Sequence, residues 1–297
     1  MATVSVIIPS YGKPVYLKEA ILSVIQQSFL DWELIVVDDN DPNSEARKET
    51  EALMASFLAD VRLKYVKHPS NLNGAAARNT GISQAKGRYI AFLDSDDRYL
   101  PSRLEKCVAL MEKEPTSIAG VYTGCEFYRN GKKYSAIKNV KSGNFLVDTL
   151  ASTFVFCTGS NLFIRQGVVK ELSGFDQRFI RHQDYEFLAR LFAQGYGLAA
   201  IKECLVVKNN ENLNLPDTER LIEVKNQYLE KYASLIGQLS KKEQQYILHK
   251  QWLSVAEIAL RKKEKDISAK YYRKAREYGG LTLMEMARRV AFSFIQR

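Results

Sequence analysis

Short apolar runs alternate with helix-like stretches over the first hundred residues. Four runs have the length and composition of buried strands: "TVSVIIP", "WELIVVDD", "VRLKYVKH" and "YIAFL". Residues 15–29, 43–58 and 73–85 lie between them and have the pattern of helices, with Ser44 placed to cap the second. This order predicts right-handed crossovers and an α/β fold, with a mostly parallel sheet covered by helices on both faces.

The second half of the chain follows a different pattern. A helix is predicted near residues 102–113, followed by the strand-like run "AGVYTGCEFY" and a hairpin signal at "RNGKKY". Beyond residue 214 the pattern is all helical, and part of it is typical of one tetratricopeptide-like helix hairpin. Its packing residues would be Trp252, Val255, Ala256, Ala259, Tyr272 and Ala275. We therefore predict a catalytic-sized domain at 1–213 and a basic helical region at 214–297.

Composition is that of an ordinary soluble globular protein, with 46% hydrophobic and 26% charged residues among 297. The net charge of +9 is concentrated in residues 241–297, which hold 14 lysines and arginines against 6 aspartates and glutamates. Such a tail on a nearly neutral body suggests a polyanionic partner or an anionic membrane surface for the tail alone.

The cysteines and the apolar runs indicate in which cellular compartment the protein is expected. Four cysteines are far apart without a C-x-x-C pair: Cys107, Cys125, Cys157 and Cys204. They predict reduced thiols in a cytosolic protein. The chain enters a strand at once, so no signal peptide is expected, and no apolar run approaches the roughly 18 residues of a transmembrane helix.

Three carboxylates, Asp94, Asp96 and Asp97, follow the fourth predicted strand directly. Ligands of open α/β sheets collect at the carboxyl ends of the strands. Crowded like charges need a compensating cation, and alternate aspartates suit a hard divalent metal that holds substrate phosphates. The alternative is a solvated turn, with Asp97 or Ser102 capping the next helix.

Other polar groups are predicted at the same edge of the sheet. After the first strand come Pro9, Ser10 and Tyr11, and after the second come Asp38 and Asp39. Arg78 lies on the helix before the fourth strand. An aromatic ring, carboxylates, an arginine and a metal-binding acid could together clamp a nucleotide diphosphate. Each residue alone has an ordinary structural explanation, but their common edge favours a shared site.

Four blocks in this order resemble the family 2 glycosyltransferases with a GT-A fold: "SVIIPSYGK", "ELIVVDDN", "NLNGAAARNTGI" and "YIAFLDSDD". The resemblance covers about residues 1–210, and "GSNLFIR", "SGFDQRF" and "HQDYEFLARL" are similar to the acceptor-side blocks. It implies the nucleotide-diphospho-sugar transferase fold, with a Rossmann-like sheet and a C-terminal helical appendage. It also implies inverting transfer of a sugar from a nucleotide-sugar, favouring a UDP-sugar, to a hydroxyl of a glycan or lipid-linked glycan, as in bacterial surface polysaccharides.

The resemblance also implies roles for single residues. Tyr11 would pack on the nucleobase, Asp39 would accept from its imide N–H, and Asp184 would be the catalytic base. The remaining nucleotide-sugar contacts would be Pro9, Arg78, Asp94 and Ser95, and Asp96 would hold Mn²⁺ or Mg²⁺. Two positions depart from the family pattern: Gln183 replaces a usual glutamate, and Gly12 replaces a usual asparagine.

Two other classes of nucleotide-binding enzyme lack the sequence motifs that they require. A sugar-nucleotide pyrophosphorylase needs a glycine-rich basic loop after the first strand, where "PSYGKPVYL" has one glycine. A dehydrogenase would show G-x-G-x-x-G there. The non-enzyme alternative is a binding scaffold with a basic helical tail, and the intact Asp96 and Asp184 weigh against it.

The last residues have the pattern of an amphipathic basic helix. Its apolar stripe would contain Leu283, Met284, Ala287, Val290, Ala291, Phe294 and Ile295. Arg288, Arg289 and Arg297 would lie towards its polar side. With the lipid-linked acceptor that the resemblance implies, this pattern predicts a cytoplasmic enzyme in peripheral contact with the inner membrane face. The alternative is a helix whose apolar stripe packs on the body while its arginines are solvated. No nucleic-acid partner is expected.

Overall fold

The computed structural model describes residues 2–210 and 216–287. The chain divides into two compact units. The first contains residues 1–144 and 155–211, and the second contains residues 145–154 and 212–297. Residues 145–154 thus group with the C-terminal helices.

One sheet contains the strands of the first unit. They are β1 (Val4–Ser10), β2 (Trp32–Asp38), β3 (Leu63–Lys67), β4 (Tyr89–Phe92), β5 (Arg98–Tyr99), β6 (Ile118–Arg129), β7 (Lys132–Ile137), β8 (Phe163–Arg165) and β9 (Gly197–Asn209). Their order is β3-β2-β1-β4-β8-β6-β9-β5, and β7 pairs with β6. β1 to β4 are mutually parallel as predicted, whereas β8 runs antiparallel to both β4 and β6, so the complete sheet is mixed.

The helices of the described residues include those predicted in the first half of the chain. They are α1 (Leu17–Ile25), α2 (Glu45–Ala55), α3 (Gly74–Gln84), α4 (Arg103–Met111), α5 (Leu146–Leu150), α6 (Gln166–Glu171), α7 (Gln183–Ala193), α8 (Thr218–Lys231), α9 (Ala233–Gly237), α10 (Lys241–Arg261) and α11 (Lys265–Arg276). Helices α1 to α3 lie within their three predicted stretches. Ser44 caps α2 as predicted, because its hydroxyl accepts from the Arg47 amide at 3.2 Å.

The core explains why the first strands are continuous apolar runs. β1, β2 and β4 are covered by helices, and nearly all of their side chains are buried. The apolar sides of α1 and α4 pack into the same core, with Leu17, Ile21 and Leu104 almost fully buried. In register, Ser10 of β1 pairs with Asp38 of β2. The carboxyl ends of these strands therefore meet at one edge.

The predicted hairpin is confirmed between β6 and β7. Arg129 pairs with Lys132 across the turn, and Asn130 and Gly131 both have positive φ angles, 49° and 68°. Asparagine and glycine tolerate this left-handed backbone better than other residues, which is why "NG" marks such turns.

The second unit is helical as predicted. α10 begins with a capping box formed by Ser240 and Glu243. α10 and α11 pack as a helix hairpin, and every predicted packing residue is buried: Trp252, Val255, Ala256, Ala259, Tyr272 and Ala275.

The prediction of four reduced thiols is wrong for one pair. Cys125 of β6 and Cys157 form a disulfide, with Cα atoms 6.4 Å apart. The two cysteines are separated by 32 residues, and the pairing of β6 with β8 brings the segment before β8 to Cys125. Cysteine spacing alone does not show this contact. Cys107 and Cys204 are free thiols, the first of them buried.

No helix within residues 2–210 and 216–287 has both the length and the apolar character needed to cross a membrane. Of the predicted amphipathic stripe, residues 283–287 are helical, and Leu283 and Met284 are exposed. The rest of the stripe and its arginines, Arg288, Arg289 and Arg297, lie outside the described residues.

Candidate active site

Three carboxylates lie together after β4, in residues 94–97, which we name the acid loop. One oxygen from each of Asp94, Asp96 and Asp97 lies within 4.8 Å of the others. Asp97 is buried, Asp94 is half-buried and Asp96 is exposed. The acid loop is thus a compact cluster with one carboxylate open to solvent.

Hydroxyl groups from the segment before β8 hold the acid loop. Thr158 Oγ1 donates to Asp94 Oδ2 at 3.0 Å, and Ser160 Oγ donates to Asp97 Oδ2 at 2.6 Å. The N-cap residue of α4 is Ser102, whose side chain makes no capping hydrogen bond. Ser102 therefore holds the N-cap position that the helix-cap alternative gave it, whereas Asp97 is buried rather than solvated.

The cluster carries more negative charge than its own cations balance. The pKa of Asp97 is raised to about 7, mainly by burial and also by the neighbouring Asp94 and Asp96, while Lys208 and the Ser160 hydrogen bond oppose the rise. Desolvation and the nearby Asp94 also raise the pKa of Asp96. Burial acts to raise the pKa of Asp94 too, but the Arg78 and Lys208 cations outweigh it and lower that pKa. The raised pKa values of Asp96 and Asp97 reflect burial and crowded like charges, which a bound divalent cation would offset.

The donor set fits a divalent metal. Carboxylate oxygens are the ligands that Mg²⁺ and Mn²⁺ prefer. Asp96 is the exposed member of the cluster and therefore the ligand best placed to meet an incoming ion. The residues of the acid loop would hold the ion, with Asp94 and Asp97 already oriented by their hydroxyl donors.

An open cavity of about 180 Å³ lies at the carboxyl edge of β1, β2 and β4. Its lining contains all six residues that the sequence assigns to nucleotide-sugar binding: Pro9, Tyr11, Asp39, Arg78, Asp94 and Ser95. Ser10, Gly74 and Ala77 complete it. The side chain of Tyr11 is 68% exposed, so its ring is accessible for stacking. Tertiary structure thus brings the predicted residues together, while their individual roles stay predictions.

Asp39 organises the loop that leads into α3. Its buried carboxylate accepts from the backbone amides of Leu72 and Asn73 at 2.8 and 2.9 Å, and it contacts His68 Nδ1 at 2.7 Å. Asn71 donates a longer bond of 3.2 Å to the same carboxylate. Asp39 therefore fixes one wall of the cavity, and a base imide would have to share or replace one of these donors.

Arg78 is held between two acceptors. Its Nη2 donates to Asp94 Oδ1 at 2.6 Å and its Nη1 donates to Gln183 Oε1 at 2.8 Å. Gln183 is the residue that departs from the family glutamate, and its amide keeps a hydrogen bond to Arg78 without adding negative charge. Asp94 therefore forms the short ion pair with the guanidinium.

The second departure, Gly12, has a backbone reason. Gly12 has a φ of 78°, and its amide donates to Asn40 Oδ1 at 2.7 Å. Asparagine tolerates the left-handed region better than other side-chain-bearing residues, so both residue types suit this turn.

Asp184 lies in the first turn of α7. Its Oδ1 is buried and accepts no hydrogen bond from the residues that the structure describes. Burial is the largest influence and raises the pKa of Asp184, Asp94 raises it further, and the Arg78 and Lys208 cations lower it, with a net rise. Asp184 does not line the cavity but is electrostatically linked to it through these groups.

Gly159 permits the position of Asp184. A Cβ atom on Gly159 would lie 2.7 Å from Asp184 Oδ1, which is closer than nonbonded atoms approach. The segment that supplies Thr158 and Ser160 to the acid loop therefore also packs against the predicted base.

Sequence reasoning missed several groups that shape the site. Ser160 lies within the quoted block "GSNLFIR", so a signal existed for it, but no role was assigned to it. His68, Thr158 and Lys208 had no local pattern that indicated a site, because each meets the cavity residues only through the fold.

The sequence of the chain is similar to those of known glycosyltransferases. The family profile described as "Glycosyl transferase family 2" matches residues 5–173. An uncharacterized glycosyltransferase of Methanocaldococcus jannaschii is 31% identical over 240 residues, which is 78% of this chain and 78% of that protein. The UDP-Glc:alpha-D-GlcNAc-diphosphoundecaprenol beta-1,3-glucosyltransferase WfgD of Escherichia coli is 35% identical over 127 residues, covering 43% of this chain and 47% of that protein.

Solved structures show the same fold. S. aureus TarS 1-349 in complex with UDP-GlcNAc has a TM-score of 0.60 at 16% identity, covering 95% of this chain and 93% of that chain. The mannosyltransferase PcManGT from Pyrobaculum calidifontis, in complex with GDP-Man and Mn²⁺, has a TM-score of 0.57 at 17% identity. That match covers 99% of this chain and 80% of that chain. The predicted GT-A fold is confirmed.

Proposed function

The chain belongs to glycosyl transferase family 2, and on that premise we propose that it transfers a sugar, with inversion, from a UDP-sugar to a hydroxyl group of a glycan or lipid-linked glycan. One observation carries the proposal. The six residues assigned to the nucleotide-sugar from sequence line a single cavity, and that cavity opens beside the acid loop.

Different residues at the cavity would bind different parts of the donor. The accessible Tyr11 ring would stack on the base, and Asp39 would accept from the imide N–H of uracil. Asp94, Asp96 and Asp97 would hold Mn²⁺ or Mg²⁺. When bound, that metal would neutralise charge on the leaving diphosphate. Arg78 keeps Asp94 ionised and correctly oriented, because the ion pair favours the charged carboxylate.

Asp184 would act as the general base. Its raised pKa brings the carboxylate closer to the pKa of an effective base near neutral pH. The acceptor hydroxyl would give its proton to Asp184 as its oxygen bonds to the anomeric carbon, while the bond from that carbon to the diphosphate oxygen breaks. One direct displacement inverts the configuration and needs no covalent sugar-enzyme intermediate.

The acceptor class is supported by one relative. WfgD is named for transfer from UDP-Glc to α-D-GlcNAc-diphosphoundecaprenol, a lipid-linked sugar. We propose an acceptor of this class for the present chain. Contact of the basic C-terminal region with the inner membrane face stays a prediction from the sequence.

The test separates donor binding from transfer. We expect UDP to bind in calorimetry with Mn²⁺ more tightly than CDP, because uracil offers an imide N–H to Asp39 and cytosine has none at that position. Asp184→Asn should keep that affinity and lose about 10²- to 10⁴-fold in transfer to lipid-linked acceptors, the usual value of a general base. Near-normal transfer by this variant contradicts the role of Asp184.

The scaffold alternative makes the opposite prediction. With Mn²⁺ and no acceptor, the enzyme should slowly hydrolyse the UDP-sugar whose donor site it fits, whereas a binding scaffold should release no sugar. Absence of both hydrolysis and transfer across a panel of UDP- and dTDP-sugars would support the scaffold.

A further inference from the structure

Lys208 places a tethered cation beside the acid loop. It is the second-last residue of β9. The end of this strand is fastened to the acid loop, because the Asn209 amide donates to Asp97 Oδ1 at 3.2 Å and Asn209 Nδ2 donates to the Asp96 carbonyl at 2.8 Å. Lys208 Nζ lies 3.5 Å from Asp97 Oδ2. The strand therefore fixes where this ammonium group can reach.

This cation acts on the three carboxylates of the acid loop and on Asp184. Its charge favours the ionised form of each, but burial still raises the pKa of Asp96, Asp97 and Asp184 on balance. A lysine ammonium this close to a carboxylate is charged throughout the neutral range, as an exposed lysine is.

The two cations of the site differ in how many short hydrogen bonds they already make. Arg78 uses Nη1 on Gln183 and Nη2 on Asp94, at hydrogen-bond distances below 3 Å. Lys208 has three N–H donors, and its ion pair with Asp97 is longer, at 3.5 Å. Its side chain is 24% exposed. The ammonium therefore keeps N–H donors for a ligand and is more exposed than the Arg78 side chain, which is 10% exposed.

We propose that Lys208 binds the diphosphate of the donor directly, as a fixed cation beside the metal, and so gives the site a metal-independent part of its affinity for nucleoside diphosphates. The proposal rests on the proposed function, since it requires a nucleotide-sugar in the cavity. A lysine is suited to this role because it meets a phosphate as a compact point charge. During transfer the same ammonium would face the charge that develops on the leaving diphosphate.

The test compares ligands with and without phosphates. Calorimetry with UDP and with uridine, both in EDTA, would be run on the wild-type enzyme and on Lys208→Gln. We expect Lys208→Gln to lose about tenfold or more in UDP affinity, the value of a charged hydrogen bond. Uridine affinity should stay within about twofold. Lys202→Gln is the matched control, because Lys202 lies on the same strand but is exposed, and it should bind both ligands as the wild type does.

Each remaining outcome decides the question. Unchanged UDP affinity in Lys208→Gln overturns the proposal. If Lys208→Gln loses uridine binding as well, the Lys208→Arg variant is measured instead. The proposal stands if Lys208→Arg keeps the wild-type preference for UDP over uridine within about threefold. It is overturned if that preference is lost. A wild-type enzyme that binds UDP only with Mn²⁺ overturns the Lys208 proposal and leaves the proposed function intact. A wild-type enzyme that binds no uridine nucleotide under either condition overturns the proposed function, and Lys208 with it.

Discussion

Asp96 is the exposed carboxylate of the acid loop and the residue most open to a metal. Asp96→Asn removes one negative charge beside a dication, which costs about 2 kcal/mol at 4 Å even in water and more at lower dielectric constant. We therefore expect Mn²⁺-dependent UDP affinity to fall at least about tenfold. UDP affinity in EDTA should hardly change. Asp41→Asn, at an exposed acid outside the loop, is the control, and equal Mn²⁺ dependence in the two variants would remove Asp96 from the metal site.

Gly159 tests the position of Asp184 without touching its chemistry. The added methyl group of Gly159→Ala would lie 2.7 Å from Asp184 Oδ1 and must displace it. Misplacing a catalytic group by about 1 Å costs up to about 10²-fold, so we expect kcat for transfer to fall about 10- to 100-fold. UDP affinity should be retained. Gly167→Ala has open space around the new methyl group, so its kcat and UDP affinity should equal those of the wild type. A wild-type kcat in Gly159→Ala would mean that Asp184 is not the base.

At the scale of elements, the disulfide ties β6 to the segment that holds the acid loop. Cys157 directly precedes Thr158, which donates to Asp94. Because Cys125 and Cys157 are joined, protein that is denatured without reductant should present two titratable thiols, Cys107 and Cys204. After reduction it should present four. Thiol titration with a chromogenic disulfide measures this directly. Four thiols without reductant would show that the sequence-based expectation of reduced cysteines was correct for the protein in solution.

Elements differ in how well the sequence predicts them. β1, β2 and β4 are covered on both faces, so each is a continuous apolar run that sequence patterns detect easily. β9 alternates between buried and exposed stretches and pairs with β6 through three register shifts. Such an irregular strand has no simple period, and neither it nor the two-residue β5 was predicted.

At the scale of the whole molecule, stability should depend on a buried lysine of the second unit. Lys225 of α8 is buried, its Nζ donates to Ser152 Oγ at 3.2 Å, and burial lowers its pKa from 10.5 to about 7. Between pH 7 and 10.5 the unfolded chain binds more protons at this group than the folded chain does, so its contribution to stability rises with pH. The slope is at most about 1.4 kcal/mol per pH unit.

Lys225→Met should remove this dependence. We expect the variant to be more stable than the wild type at pH 7, and the difference to shrink as the pH approaches 10. Chemical unfolding of the full chain, followed by circular dichroism at several pH values, measures it. Lys242→Met, at an exposed position, should follow the wild type. If Lys225→Met also runs parallel to the wild type, Lys225 does not titrate as its burial predicts.

The sequence by itself determined the first four strands, the three helices between them, the hairpin and the polar strand ends that border the cavity, and the family resemblance added the assignment of six lining residues to the nucleotide-sugar. The elements and strand ends follow from local rules: buried parallel strands are apolar runs, and polar residues at their carboxyl ends must meet at one edge. The fold alone decided the partners from distant segments, such as Ser160 and Lys208 at the acid loop, Gln183 on Arg78 and Cys125 on Cys157. Such contacts depend on strand order and register in the second half of the sheet. No local pattern records them, because each residue finds its partner only after segments far apart in the chain have packed together.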